Sequence, residues 1–359
     1  MRHPSLSIPS LFLITGSTLS LSAVEVGPPE SGLQIGGWGE AFANAEHYDG
    51  HSYESTPTNV EAKNEIEFAS DAMLKVSYKV DEFSLRVDVF ASNKPVYDDK
   101  NVILEQAFID WKFNDLATLR AGRFDTTWIG WEGFHTPNLM RVNHSAAWYW
   151  NVYDHGQQEE RPFLSDGLGL FLNAPEDPLT LSFFVVNDVL GNGPTATGSN
   201  VAYGANLTWS PRWLGQAELG AVFDPNSMSV DGVSSSNGAA IDFNVDITTC
   251  QDYGWFFAGE VQYQFQNQLS LAGQKYGDAL MWLAMANYAI TDKVSVTAMV
   301  DHVDRGMDLP NNEILEVALA VLTKPHKQVR LNFEVFQWKE NASDADIYGA
   351  AAVILLELP

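Results

Sequence analysis

Few side chains in this sequence are arranged for covalent chemistry. The eight His are scattered and form no compact ligand cluster, so a zinc-type site is not expected. His144 and Ser145 are adjacent, but neighbouring side chains on an extended chain diverge, and no Gly-x-Ser-x-Gly elbow is present. The single cysteine, Cys250, can form no disulfide within the chain. No catalytic residue, metal ligand or cofactor is expected, and the chain is not read as an enzyme. The chemistry on offer is electrostatic. Arg86, Asp88, Asp110, Lys112, Arg120, Glu260, Arg330 and Glu334 alternate with apolar residues, and charges of mixed sign resist dry packing because desolvation costs too much. These side chains need water beside them.

The elements that would position them have a period of two. Phe83, Leu85, Val87 and Val89 alternate with Ser84, Arg86 and Asp88; Ala107, Ile109, Trp111 and Phe113 alternate with Gln106, Asp110 and Lys112. The same alternation runs through Phe257–Phe265 and Val329–Val335. The pattern predicts strands near 33–46, 62–79, 83–93, 103–113, 116–124, 167–174, 179–188, 201–210, 214–224, 239–249, 254–265, 279–290, 293–303, 314–323, 328–338 and 346–357. That is about 16, within a range of 14–18. Two of them, 279–290 and 346–357, are apolar on both faces, which leaves their registers open.

Composition limits the alternatives. The chain has 359 residues, 45% of them hydrophobic and 18% charged. Beyond the extreme N-terminus no stretch approaches the roughly 18 apolar residues of a spanning helix. With 20 basic and 46 acidic residues the net charge is −26, which argues against a nucleic-acid partner. Met1–His3, the apolar stretch Leu6–Leu21 and the small residues to Ala23 have the form of a cleaved export signal over 1–22. A short segment, 23–31, then leads into a single unit over 32–359.

The links between strands carry the strongest signal. Short ones (79–82, 114–115, 174–178, 211–213, 250–253, 291–292, 324–327) alternate with long ones (47–61, 94–102, 125–166, 189–200, 225–238, 266–278, 304–313, 339–345). A transmembrane antiparallel β-barrel segregates its connections in this way, with short periplasmic turns and long extracellular loops. Tyr78, Phe83, Phe113, Trp209, Trp213, Trp255 and Tyr288 lie near short turns, as an interfacial aromatic girdle would. About 16 strands enclose an aqueous lumen.

The segments Leu104-Glu105-Gln106-Ala107-Phe108-Ile109-Asp110-Trp111 and Leu119-Arg120-Ala121-Gly122-Arg123-Phe124, followed by the long link 125–166, resemble the bacterial outer-membrane porin superfamily, and more narrowly the OmpL-like β-barrel porin family. The resemblance implies an outer-membrane channel for passive diffusion of small hydrophilic solutes and ions, embedded in outer-membrane lipid, and is compatible with a homotrimer as well as with a monomer. It also implies that 125–166 folds inward and narrows the pore. Glu132, Arg141 and His144 of that loop would then face Arg86, Arg120 and Arg123, with Asp110, Lys112, Arg330 and Glu334 elsewhere on the pore wall. The ending Leu355-Leu356-Glu357-Leu358-Pro359 departs from the aromatic terminus common in such barrels. A barrel-anchored structural or adhesion protein and an outer-membrane hydrolase are the competing classes.

Overall fold

Strands with one apolar and one polar face are stable in a bilayer only if every backbone group is paired, which requires the sheet to close. The computed structural model describes residues 24–25, 32–49, 63–93, 102–126, 164–173, 178–187, 201–211, 215–228, 236–247, 254–265, 270–271, 274–275, 278–304, 313–341 and 345–357. Sixteen long strands follow in chain order: β1 (Leu33–Asp49), β2 (Lys63–Val80), β3 (Phe83–Ser92), β4 (Val102–Lys112), β5 (Ala117–Asp125), β6 (Leu164–Asn173), β7 (Leu179–Asn187) and β8 (Val201–Trp209). They continue as β9 (Gly215–Met228), β10 (Ser236–Ile247), β11 (Trp255–Phe265), β12 (Ala279–Thr291), β13 (Val294–Asp304), β14 (Glu313–His326), β15 (Val329–Glu340) and β16 (Ala345–Glu357). Each pairs antiparallel with its neighbours, and β16 returns to β1 from Asp346↔Asp49 to Glu357↔Trp38. The sheet is a closed 16-stranded ring. Three two-residue pieces are additional, of which Val24–Glu25 pairs with Gln34 and Ile35 on β1.

All sixteen expected strands are present, with boundaries moved by a few residues. The link expected at 225–238 shrinks to 229–235 because β9 and β10 remain paired as far as Met228↔Ser236. Strands on the long-link end thus continue beyond the stretch that the apolar alternation marks. At the other end, local side-chain chemistry builds the tight turns. Asp81 takes a positive φ of 50°, which Asp tolerates better than most residues. Asn114 Oδ1 accepts from the backbone N–H groups of Leu116 and Ala117 at 2.8 and 3.0 Å. Thr291 Oγ1 does the same for Lys293 and Val294, both at 3.1 Å.

The outward face is apolar and exposed, as in Phe68, Leu85, Ile109, Val185, Leu219, Val261, Leu319 and Phe333. Near the short turns the aromatics pack on one another. Phe83 stacks on Trp111 with centroids 5.9 Å apart, and Trp255 meets Tyr288 at 4.6 Å. Tyr78, Phe113 and Trp209 are exposed at the same end, while Trp213 lies outside the described residues.

The inward face departs from the expectation of a uniformly wet wall. Phe184, Val186, Val222, Phe256, Met281, Leu283, Met285, Met299, Val303 and Ile314 form one buried cluster along it. The two strands apolar on both faces now have definite registers. On β12 Ala279, Met281, Leu283 and Met285 point inward and Leu280, Trp282 and Tyr288 outward; on β16 Ala351, Val353 and Leu355 point inward. A strand can be apolar on both sides when its inward positions join this inner cluster.

Candidate functional site

The pairing registers decide which charges face the lumen, because residues directly opposite each other point to the same side. The inward rows of β2–β5 carry Lys75 beside Asp88, Ser77 beside Arg86, and Asp110 beside Arg120. Each inward Arg here has an acid as close partner. Arg86 donates from Nε to both oxygens of Asp88 at 3.1 and 3.0 Å. Arg120 grips Asp110 in a fork, from Nε at 2.8 Å and from a terminal nitrogen at 3.0 Å. Its guanidinium also lies 3.8 Å from the Phe108 ring centroid and 4.8 Å from that of Phe171. A planar, delocalised cation favours both contacts, carboxylate in its plane and aromatic faces over it.

The remaining predicted site residues scatter. Lys112 is exposed near a short turn and donates to Asp115 at 2.8 Å. There the ammonium holds the Asp115 carboxyl below its usual range, through a hydrogen bond and its charge. Arg330 faces inward on β15 and bridges Glu357 at 2.6 Å, and Glu334 is buried on the same row. Arg123 does not belong with Arg120. It pairs with Ala107 and Asp166 and reaches Asp166 at 3.9 Å. It is an odd number of residues from Arg120, so strict alternation does not place the two on one row. Glu132, Arg141 and His144 lie outside the described residues.

Sequence reasoning singled out Glu260 but missed the other acids on its side of the wall. From Gln216 on β9 to Leu322 on β14 the inward positions of the barrel strands include Glu218, Asp242, Asp246, Glu260, Asp301 and Glu316, and no Lys or Arg. All six are buried, with exposures from 0% to 8%. The signal was present in Asp242-Phe243-Asn244-Val245-Asp246, where acids alternate with apolar residues. Amides satisfy part of the group. Gln216 Nε2 donates to Glu218 at 2.6 Å, Thr208 Oγ1 to the same oxygen at 3.2 Å, and Asn244 Nδ2 to both Glu218 and Asp242. The barrel therefore has one wall where acids are paired with arginines and an opposite arc of buried acids without Lys or Arg, set among Met, Leu and Val.

Among the described residues no group of three His, Cys, Asp or Glu is placed to hold a metal ion. No family model and no curated protein matches the chain, so the narrower OmpL-like resemblance has no support from these comparisons. Solved structures do match. A porin of Comamonas acidovorans, described as anion-selective, is 10% identical, with 91% of this chain and 100% of that one covered and a TM-score of 0.65. OmpF of Salmonella typhi, solved in complex with daunomycin, is 9% identical over 94% of this chain and all of that one, with a TM-score of 0.67. The outer-membrane channel DcaP of Acinetobacter baumannii is 11% identical over 92% and 98%, with a TM-score of 0.61. At such identities the likeness is one of fold, and the fold of this chain is that of the 16-stranded outer-membrane porins.

Proposed function

We propose that the chain is an outer-membrane channel that lets small hydrophilic solutes and ions diffuse through a water-filled lumen, with a preference for cations. The observation that carries this is the inner wall of a closed 16-stranded ring. Its inward row carries charges of mixed sign, Arg86, Asp88, Asp110 and Arg120, joined in ion pairs, and a ring of this size leaves room for water beside them. The cation preference follows from pairing. Arg86, Arg120 and Arg330 are each matched by a carboxylate, whereas the β9–β14 arc adds acids without bases. Export through a cleaved signal at 1–22 belongs to the same reading.

Narrowing of the pore by 125–166 is part of the proposal. The described ends of that link, Asp125 on β5 and Leu164 on β6, are paired to each other, so about 38 residues leave and re-enter the barrel at one point. So long a connection in a compact fold commonly has a role of its own. Liposome swelling with neutral sugars of increasing size tests both parts. Uptake with a sharp size limit supports the channel, and a higher limit after deletion of 132–150 supports the constriction. A folded barrel that passes none of the sugars contradicts the proposal.

A further inference from the structure

Arg120 is held by more than its ion pair. Asp110, directly opposite on β4, takes two of its five N–H donors, at 2.8 and 3.0 Å. Three phenyl rings from three neighbouring strands surround the same guanidinium. Its central carbon lies 3.8 Å from the ring centroid of Phe108 on β4, 4.8 Å from Phe171 on β6 and 5.8 Å from Phe124 on β5. On β6 the residue opposite Arg120 is Gly169, where an added Cβ would stand 3.1 Å from the Phe171 ring and 3.3 Å from that of Phe124. Glycine at this level is what admits both rings beside the cation. Phe108 and Phe124 are buried and Phe171 is half-buried, whereas the Arg120 side chain keeps 21% of its surface exposed. Water reaches the charge, while the rings that touch it are fixed in the wall.

An arginine has a long, rotamer-rich side chain, so on a wetted wall it can lie against the sheet or extend into the lumen. Both postures carry the same net charge. They differ in how close the positive end comes to a passing ion, and Coulomb energy depends on that distance. The carboxylate fork alone is a weak restraint, because a partly exposed ion pair gains little over its hydrated partners. Ring faces add a cation–π attraction and apolar cover for the guanidinium. We propose that Phe108 and Phe171 are positioning residues that determine ion selectivity. Their rings hold the Arg120 guanidinium on the wall beside Asp110 and so keep a positive charge out of the path of cations. The inference rests on the channel reading above and adds to it the residues that maintain its ion preference.

Reversal potentials of single channels of the full-length protein, taken under a KCl gradient, test the clamp. Phe108→Leu keeps an apolar side chain and removes the ring face. The cation-to-anion permeability ratio is then expected to fall by about 1.5- to 2-fold at 0.1 M salt. At 1 M, where the Debye length is about 3 Å, the fall is expected to stay below about 1.2-fold. Phe108→Tyr, which retains the ring, is expected to give the wild-type ratio. In an Arg120→Met background Phe108→Leu is expected to change nothing, because no guanidinium remains to be released. Phe171→Leu, with the same fall expected, carries the test if Phe108→Leu lacks the heat-modifiable gel mobility of a folded barrel. A wild-type ratio in the folded Leu variants overturns the clamp and leaves the channel standing. So does an equal fall in Phe108→Tyr or in the Arg120→Met background. A folded wild-type protein that conducts no ions overturns the channel reading itself.

Discussion

Arg120→Met removes a cation from the lumen but leaves its partner Asp110 in place, and this separates a paired arginine from a free one. In the folded barrel the two charges are 2.8 Å apart, so a passing ion meets a dipole rather than a net charge. Loss of the guanidinium exposes one carboxylate. At about 7 Å in water a unit charge contributes ~0.6 kcal/mol to a permeating ion, and a Debye length of about 10 Å at 0.1 M roughly halves it. A cation gains what an anion loses, so the ratio of their permeabilities shifts by about 0.6 kcal/mol, a factor of about 2.5 towards cations. At 1 M, where the Debye length is about 3 Å, the shift falls below about 1.3-fold. Reversal potentials across a KCl gradient measure both values. The double variant Asp110→Asn, Arg120→Met is expected to return to the wild-type ratio. A double variant as strongly shifted as the single one would refute the pairing argument.

Three further outcomes follow from local structure. A Cβ on Gly204 would sit 1.9 Å from the Phe184 ring, so Gly204→Val should overpack the inner cluster and lower stability to urea by about 1–3 kcal/mol. Asn114→Ala removes two turn bonds and should cost about 1 kcal/mol, read as a lower midpoint of heat-induced loss of compact gel mobility. Lys112→Met should return the Asp115 carboxyl upward to its ordinary range, as followed by its carbon chemical shift during an acid titration. The sign follows from the depressed value: the Lys112 contact stabilises the fold above the ordinary carboxylate range and is lost as pH falls through the lowered one.

The fold was legible because every strand carries its own two-residue period and the links differ in length at the two ends. Arg86, Asp110, Arg120, Arg330 and Glu334 could be assigned to the lumen from that alternation alone. Arg123 could not, because Gly122 and Arg123 continue a strand whose single apolar row is interrupted by a charge near its end. The registers of β12 and β16 were obscured for a different reason. Inward positions on β12 and β16 are Ala, Met, Leu and Val, so these strands show no contrast between faces, and only pairing with Gln262, Glu260 and Ala258 reveals which side is inside. Ion pairing is also invisible in one dimension. Asp110 and Arg120 are ten residues apart on different strands, and only the β4–β5 register joins them.

The central claim is a water-filled lumen in which paired arginines leave acids to set the ion preference. The most direct measurement is the reversal potential of single channels under a KCl gradient, taken first at low and then at high mean salt. Discrete conductance steps are expected, with cation preference at low ionic strength that declines as salt is raised. Anion preference at low ionic strength would contradict the account.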